Sequence, residues 1–475
     1  MIQKRYLNNH KLIYIFSLVI ANLYNVFLLP IITTELTSQQ YSNYIVVFQI
    51  IGFFQAVLAL TYTGGLMKFW NDLDEDKRKE YLNSILFLLL FTTLLITFVL
   101  HLFTNYSVNS FKYLSGLNKT IILKMNILLL ITIVKFFLLT FYRVSLQPQK
   151  HFFYSIIYLT SLTTLLFGYY FFDEITLNIL LQIIIISDLL GTTYLMYHYR
   201  SYFKFYFKIK YLFPHFKFSW ALILSSFSFV IFQNIDKFII KSTLTDLTLN
   251  RYSTALTLSL ASSLVVKAIV SSDFPYIKKL SSGKSLRKEY FIKRKNNSLF
   301  LMYIFSTGSI ILNDYFFEFF SKTYYTHYSL YCLNLFTIVN FFRLKYLYSE
   351  NRLFIIDRVK HILIIKLFML LLCFGFLNLI MSSNVLIVFP FIFIFIYFFA
   401  DFSTNIFLNK IQRGLASFDF RNAILGFTLV SFATIHFFIQ TQGLPQQIIF
   451  VFKFALLVIV IKLSYTYLKV NNHFN

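Results

Sequence analysis

The stretch KLIYIFSLVIANLYNVFLLPIIT at residues 11–33 decides the fold class. It is almost continuously apolar, and as a helix it is about long enough to cross the ~30 Å hydrocarbon core of a bilayer. The stretch VLIVFPFIFIFIYFFADF at residues 385–402 has the same character. The first stretch is longer than the core of a signal peptide, and the LLPIITTEL segment at its end lacks the small residues of a cleavage site. We therefore interpret residues 11–33 as the first membrane-spanning helix.

The composition of the whole chain supports this interpretation. Apolar residues make up 58% of the 475 residues, charged residues make up 13%, and the mean hydropathy is +0.67. A soluble fold of this length needs more polar residues to cover its surface. The apolar segments are continuous rather than alternating, which excludes a β-barrel. The sequence thus predicts an all-α, polytopic membrane protein.

The number and direction of the spans follow from the apolar runs and from the basic residues between them. The fourteen predicted helices begin near Lys11, Ser42, Leu82, Thr120, Phe152, Leu177, Phe218, Ser253, Ser298, His327, Lys360, Val385, Ala423 and Gln447. Most of the 43 Lys and Arg residues lie in the alternate loops on the side of the N-terminus. The loops on the other side hold Lys112, Lys119, Lys241, Arg251 and Lys322. By the positive-inside rule, this asymmetry places both termini in the cytoplasm.

Two basic segments explain much of the net charge of +24. IKKLSSGKSLRKEYFIKRK (277–295) carries eight cations, and we interpret it as a topology anchor beside anionic lipid. RSYFKFYFKIKYLFPHFK (200–217) interleaves cations with aromatic residues, which we interpret as an interfacial helix or linker that ends at Pro214. We expect membrane lipids, and no nucleic acid, as partners of these segments.

Two short stretches of the chain are similar to each other. LTSQQYS (36–42) and LTLNRYS (247–253) share Leu, Thr, Tyr and Ser at equivalent places, 211 positions apart. Each joins two successive helices on the outer side, so the similarity predicts a parallel duplication. We therefore predict two six-helix bundles plus a helix pair. The predicted parts are an N-terminal bundle (1–199), a basic cytoplasmic linker (200–217), a C-terminal bundle (218–409) and an additional transmembrane pair (410–475).

Several segments resemble Wzx-type polysaccharide flippases, which belong to the multidrug/oligosaccharidyl-lipid/polysaccharide exporter superfamily. The ending VFLLPIIT of the first helix and LTYTGGLMKFWN at the end of the second are similar to the opening of such proteins. FQNIDKFIIKSTL, followed by NRYSTALTLSLASSLVVKAIVSSDFPYIKK, resembles the start of their second half. Flippases for O-antigen units usually have twelve helices, whereas lipid II flippases and some capsule exporters have fourteen. Both helix counts therefore stay open.

Ionisable side chains within the apolar runs are candidates for function, because burying them in hydrocarbon is costly. Four of them, at helix ends, can reach the headgroups: Lys124, Asp273, Asp314 and Lys241. The deeper ones are Lys135, Asp188, Asp236, Lys237, Lys267, Lys366, Asp401, Lys453 and Lys462. These groups can pair with one another and hold helices together. The cations outnumber the anions, however, so we expect the surplus cations to face water or an anionic ligand.

The resemblance implies a central cavity lined largely by helices one, two, seven and eight. Amide groups suit sugar hydroxyls and ammonium groups suit phosphate, although amides serve equally well as hydrogen bonds between helices. On these helices the polar candidates are Asn22, Asn25, Gln49, Gln55, Gln233, Asn234, Asp236, Lys237 and Lys267. Lys135 on helix four is a further candidate for substrate binding. Asp236 and Asp188 are the candidates for ion coupling.

The chain shows no signature of an enzyme. The predicted outer loops are short, and the first offers only Glu35 as an acid–base residue. A Walker motif is absent, so we expect no ATP-driven step. The histidines lack metal-ligand spacing, and Cys332 and Cys373 lie inside apolar runs, where cysteine is a small buried hydrophobe. We expect neither a cofactor nor a metal site.

The resemblance, together with these residues, predicts a transporter of the bacterial inner membrane. Its expected substrate is a polyprenyl-diphosphate-linked oligosaccharide, the repeat unit of O-antigen (lipopolysaccharide) or of capsule. Other membrane proteins of polysaccharide assembly are its expected partners. A cation-coupled multidrug antiporter of the same superfamily is the first alternative, and an O-antigen polymerase is an alternative from another class. The identity of the sugar, the coupling ion and the oligomeric state do not follow from the sequence.

Overall fold

The computed structural model describes residues 2–70, 73–107, 116–172, 174–204, 207–279, 284–356, 358–381 and 385–411, together with 426, 428–431 and 433. Within these residues the chain forms twelve α-helices and no β-strand. The helices are α1 (Ile2–Glu35), α2 (Ser38–Phe69), α3 (Glu75–Ser107), α4 (Lys119–Val144), α5 (Pro148–Phe172), α6 (Leu177–Tyr199), α7 (Leu212–Thr243), α8 (Asp246–Lys279), α9 (Lys284–Ser321), α10 (His327–Ile355), α11 (Val359–Met381) and α12 (Val385–Ile411). The predicted all-α class is confirmed.

Nine of the helices in the described part of the chain contain a segment long and apolar enough to cross a membrane. Large apolar side chains on these helices are exposed, including Phe98 of α3 at 60% and Phe171 of α5 at 76%. In water such surfaces would be unfavourable, whereas in a bilayer they face hydrocarbon. The chain is therefore a polytopic membrane protein, as predicted.

The helices recur along the chain in two matching sets of six. The first set begins at Ile2, Ser38, Glu75, Lys119, Pro148 and Leu177. The second set begins at Leu212, Asp246, Lys284, His327, Val359 and Val385, each about 210 positions after its counterpart, as a parallel duplication requires. The spacing of the helices thus agrees with the distance between LTSQQYS and LTLNRYS.

Hydrophobicity located the helices better than it located their ends. Five of the predicted starts agree with the structure to within one residue, at α4, α6, α10, α11 and α12. By contrast, α9 begins at Lys284, well before the predicted Ser298, because the helix includes a polar segment that precedes the apolar run. The predicted helices near Ala423 and Gln447 lie almost wholly outside the described residues, so the choice between twelve and fourteen stays a prediction.

Side-chain caps define several helix starts. Thr37, Asn118 and Thr176 precede α2, α4 and α6, and each accepts a hydrogen bond from the backbone N–H three residues later. Thr326 before α10 forms a reciprocal capping box with Ser329. Such caps satisfy the free N–H groups of a first turn, which have no partner within the helix.

The chain divides into two compact units. Unit 1 comprises residues 1–24, 31–250 and 358–370, and unit 2 comprises residues 25–30, 251–357 and 371–475. In unit 1, α4 packs against α2, α3 and α6, and in unit 2, α10 packs against α9 and α12. The fourth helix of each set is therefore central to its own unit. The predicted bundle limits at 1–199 and 218–409 stay a prediction.

The basic segment 200–217 is hydrogen-bonded to α3 in unit 1. The amide of Asn83 donates to the carbonyl of Tyr202 at 2.8 Å and accepts from the N–H of Lys204 at 3.3 Å. The N–H of Lys208 donates to the hydroxyl of Ser84 at 3.0 Å. Most of the segment precedes α7, and its last residues form the first turns of that helix. Pro214 lies in the first turn, where a missing N–H costs nothing.

Candidate functional site

The best-defined buried charges of unit 1 are Lys135 of α4 and Asp188 of α6. The ammonium of Lys135 lies 2.9 Å and 2.8 Å from the two carboxylate oxygens of Asp188. Asp188 is 3% exposed, and its Oδ1 also accepts a hydrogen bond of 3.0 Å from the hydroxyl of Tyr154 on α5. The same ammonium lies 5.7 Å from the centre of the Tyr158 ring, within the range of a cation–π contact. Of the two roles that the sequence left open for deep charges, pairing between helices is the one that this pair adopts.

Unit 2 contains a second buried pair, which the sequence analysis did not identify. The ammonium of Lys345 in α10 lies 3.3 Å from Oδ2 of Asp401 in α12, and both side chains are 1% exposed. This contact is an ion pair without hydrogen-bond geometry. Oδ1 of Asp401 accepts hydrogen bonds from Ser349 at 2.6 Å and from Asn405 at 2.9 Å. Breaking such a pair by removing one partner typically costs about 3–5 kcal/mol.

The polar residues predicted for substrate binding on α7 lie within two turns. Asp236 is 1% exposed and accepts a hydrogen bond of 2.7 Å from the backbone N–H of Lys237. The ammonium of Lys237 lies 3.3 Å from the side-chain oxygen of Asn234, whose amide donates to the carbonyl of Val230 at 2.9 Å. Gln233 is half-buried on the same stretch. These residues form one polar stretch of α7, in which Lys237 contacts Asn234 through its ammonium and Asp236 through its backbone N–H.

The other candidates are distributed over several helices. Gln49 and Gln55 are half-buried residues of α2. Asn25 and Lys267 belong to the helical backbones of α1 and α8, but their side chains, like that of Asn22, lie outside the described part of the structure. Among the candidates, the structure therefore shows two separate groups: the residues on α7, which lie close to one another, and Lys135, which pairs with Asp188.

One more deep lysine lies in the described part of the chain. Lys366 of α11 is 6% exposed, and its ammonium lies 4.5 Å from the ring centre of Phe229 in α7. The remaining predicted cations, Lys453 and Lys462, lie outside the described residues together with the side chain of Lys267. The predicted surplus of deep cations over deep anions therefore depends mainly on Lys267, Lys453 and Lys462, whose side chains the structure does not describe.

The TGG motif at residues 63–65 marks a close approach of α2 to α7. The imidazole of His215 lies against Gly65, where an added Cβ would meet its Cε1 at 2.3 Å. A hydrogen bond of 2.8 Å between the hydroxyl of Tyr81 and Nδ1 holds the imidazole, and the ring of Tyr62 stacks on it at 6.0 Å. Glycine is required here because any side chain at residue 65 would overlap the histidine.

The two similar stretches also meet at the N-terminal ends of α2 and α8, through residues of unit 1. The amide of Asn250 donates to the backbone carbonyl of Ser38 at 2.8 Å and to its hydroxyl at 3.0 Å. The ammonium of Lys241 lies 2.6 Å from Asp246 and 2.7 Å from the hydroxyl of Ser42. Lys241 was predicted to extend to the headgroups, and in the structure it forms this ion pair at the helix end.

Arg143, at the C-terminal end of α4, is a further group that was not predicted from the sequence. Arg143 donates from Nε to the hydroxyl of Tyr14 in α1, and its guanidinium lies 5.2 Å from the Tyr14 ring centre. The hydroxyl of Ser17 is hydrogen-bonded to Nδ1 of the buried His151 in α5. These contacts join α1, α4 and α5. Among the described residues, no group of three histidine, cysteine or acidic side chains is arranged to hold a metal ion.

Comparison with known proteins gives a family and a fold. Residues 10–281 match the model of a family described as polysaccharide biosynthesis protein. None of the curated proteins matches the chain. A solved structure of a MOP superfamily transporter from Pyrococcus furiosus is 10% identical with a TM-score of 0.65, covering 88% of this chain and 96% of that one.

Two further solved structures have the same fold. MATE in complex with MaD5 is 10% identical with a TM-score of 0.64, covering 87% of this chain and 95% of that one. An outward-facing multidrug resistance MATE family transporter is 10% identical with a TM-score of 0.62, covering 88% and 96%. At this level of identity the likeness establishes the fold and not the substrate.

Proposed function

The chain belongs to the polysaccharide biosynthesis protein family, and we propose that it is a flippase for polyprenyl-diphosphate-linked oligosaccharide repeat units in the bacterial inner membrane. The observation that carries this proposal is the family match over residues 10–281 in a chain with the fold of MATE and MOP superfamily proteins. A membrane protein of polysaccharide synthesis can transfer sugars, join repeat units or move them. The fold favours movement, since it is the fold of transporters.

The polar residues of α2 and α7 suit a sugar diphosphate. The amides of Gln49, Gln55, Gln233 and Asn234 offer both donors and acceptors to hydroxyl groups. They form the proposed contact set for the oligosaccharide, and the sequence adds Asn25 of α1 as a further candidate. The polyprenyl tail remains in the lipid, since it is as apolar as the acyl chains.

Cationic side chains are the proposed contacts of the diphosphate. Lys237 lies beside Asn234 on α7, and Lys267 belongs to α8, the next helix along the chain. An ammonium is a compact charge that binds phosphate without the fixed geometry of a guanidinium. Lys135 was a further candidate for this role, but its ammonium is hydrogen-bonded to both oxygens of Asp188. Binding of phosphate by Lys135 therefore requires that this pair open.

The membrane potential supplies a driving force for such a substrate. A negative interior drives an anion outward with about 2.3 kcal/mol per charge per 100 mV. Asp236 is the proposed site if a cation is coupled to transport, because it is a buried carboxylate within the polar stretch of α7. Coupling through Asp188 requires Lys135 to leave or to lose its proton.

We propose that the transported repeat units are used in the synthesis of O-antigen or capsule. Repeat units delivered to the outer leaflet must be joined into polymer, so enzymes that use polyprenyl-diphosphate-linked units are the proposed partners. Both termini are proposed to lie in the cytoplasm, as the distribution of Lys and Arg predicts.

A second candidate function is a cation-coupled multidrug antiporter. The observation in its favour is the structural likeness to a multidrug resistance MATE family transporter. A site for cationic drugs would be expected to carry mainly acidic groups, whereas the proposed contact set includes Lys237 and Lys267. We therefore rank this function second.

A gene deletion in the source bacterium tests the proposal. We expect lipid-linked repeat units to accumulate on the cytoplasmic leaflet and surface polysaccharide to be lost, with both restored by the cloned gene. Increased sensitivity to cationic drugs without this accumulation would favour the antiporter. Altered polymer length with continued export of single units would favour a polymerase.

Two variants of α7 link the phenotype to the site. Lys237→Ala should reduce export at normal protein abundance, because it removes a proposed phosphate contact. Lys217→Ala is the matched control, since Lys217 is an exposed residue at the start of the same helix. Equal export by the two variants would remove Lys237 from the proposed site.

A further inference from the structure

The two buried Lys–Asp pairs occupy equivalent places in the duplicated chain. Lys345 follows Lys135 by 210 positions and Asp401 follows Asp188 by 213, close to the 211 positions between the two similar stretches. Each pair joins the fourth helix of its set, α4 or α10, to the sixth, α6 or α12. The Lys and the Asp are therefore common to both repeats.

The groups that support the carboxylates differ between the two repeats. In unit 1 the second contact of Asp188 is a phenol hydroxyl, from Tyr154 on the fifth helix. In unit 2 the carboxylate of Asp401 is held by Ser349 and Asn405, on the fourth and sixth helices. A packing role alone would not require the same charges where the surrounding contacts have changed. The shared feature is a buried carboxylate with an ammonium and hydroxyl groups around it.

Such a carboxylate needs a positive charge, because a buried anion without a counter-ion is strongly unfavourable. Carboxylate and hydroxyl oxygens are also the ligands that hard cations take in proteins. A monovalent metal ion and an ammonium carry the same charge and seek the same oxygen atoms. The ammonium differs in being covalently attached, so it is present at every stage without being bound or released.

We propose that Lys135 and Lys345 are tethered cations, each filling the position of a bound sodium ion at Asp188 and Asp401. Removing the lysine charge then opens a sodium site at the carboxylate that remains. In the native protein neither carboxylate binds sodium, and neither repeat couples transport to sodium at these positions. The inference concerns the protein itself and holds whatever the transported substrate is.

The test uses the purified full-length protein in detergent at mildly alkaline pH, in sodium chloride or in choline chloride of equal concentration. The variants are Lys345→Met and Lys135→Met, which remove the charge and keep much of the side-chain volume. For each variant we expect an unfolding temperature several degrees lower in choline chloride and partly restored by sodium. We also expect each variant to bind more radioactive sodium than the unmodified protein does, by about one ion per protein for the site that is opened. Lys135→Met should destabilise the protein less than Lys345→Met, because Lys135 is 19% exposed. The sodium response can therefore be measured on Lys135→Met even if Lys345→Met does not fold.

Two controls separate the tethered cation from a purely structural ion pair. Adding Asp401→Asn to Lys345→Met, or Asp188→Asn to Lys135→Met, should abolish the response to sodium while recovering stability. Lys241→Met breaks the pair with Asp246 at a helix end and should gain no sodium response. An equal loss of stability in both salts, or sodium binding by the unmodified protein equal to that of the variants, would overturn the proposal.

Discussion

Replacing Gly65 by alanine tests the close approach of α2 and α7. An added Cβ at residue 65 would lie 2.3 Å from Cε1 and Nδ1 of His215, well inside van der Waals contact. At the neighbouring Gly64 it would meet Cδ1 of Leu222 at 2.6 Å, the end of a flexible side chain. At Gly52, also in α2, it would find nothing within 4 Å. Helix α2 thus offers three positions for the same Gly→Ala substitution: a severe steric overlap at residue 65, a moderate one at residue 64 and none at residue 52.

The expected magnitude follows from the ability of each neighbour to move. His215 is 0% exposed and is held by the hydroxyl of Tyr81, so it cannot retreat easily. Overpacking a core typically costs about 1–3 kcal/mol. Against this cost, replacing glycine by alanine inside a helix stabilises the helix by up to ~1 kcal/mol. Because His215 cannot move aside, Gly65→Ala should lie in the upper part of the overpacking range, at about 2–3 kcal/mol, which leaves a net loss of about 1–2 kcal/mol. We expect a smaller loss for Gly64→Ala and no loss for Gly52→Ala.

The measurement is the unfolding temperature of each purified variant, followed by size-exclusion chromatography of heated samples. Gly65→Ala should unfold a few degrees below the unmodified protein, while Gly52→Ala should equal or exceed it. If Gly65→Ala proved as stable as Gly52→Ala, the packing of His215 against α2 would be refuted.

Three further outcomes are expected. Asn83→Ala removes both contacts between its side chain and the basic linker and should cost about 1–3 kcal/mol, read from the unfolding temperature. An unchanged value would show that the linker is held elsewhere. A cysteine at Gln39 should react with an impermeant thiol reagent added outside spheroplasts, and one at Ser282 should not; the reverse pattern would invert the proposed orientation. Asp236→Asn should keep normal abundance and lose most export if Asp236 binds a coupled cation, whereas full export would remove that role.

The apolar runs predicted the helices because hydrocarbon thickness sets the length of a span. They could not locate the ends of α7 or α9, since those helices continue into polar segments that hydropathy assigns to loops. By contrast, the start of α10 was located correctly although this helix is not among the nine apolar spans. One of its charges, Lys345, is paired with Asp401 within unit 2.

The site was predictable in its residue types but not in its partners. The sequence indicated that Asp188 needs a cation, yet only the packing of α4 on α6 identifies Lys135 as that partner. Lys345 was missed because Arg343 and Glu350 make its surroundings resemble a cytoplasmic loop. The signal that would have identified it was the duplication itself, since a search 210 positions beyond Lys135 leads directly to Lys345.

Transport of a lipid-linked oligosaccharide by the purified protein is the most direct test of the proposed function. Lipid-linked repeat units extracted from the deletion strain would be placed in both leaflets of liposomes, with or without the protein. A soluble glycosidase that cannot cross the membrane then cuts only the units on the outside. With the protein present, we expect cleavage to proceed to nearly all units, and with empty liposomes to stop near one half. If cleavage stopped near one half in both, although the protein was correctly folded and inserted, the flippase proposal would be contradicted.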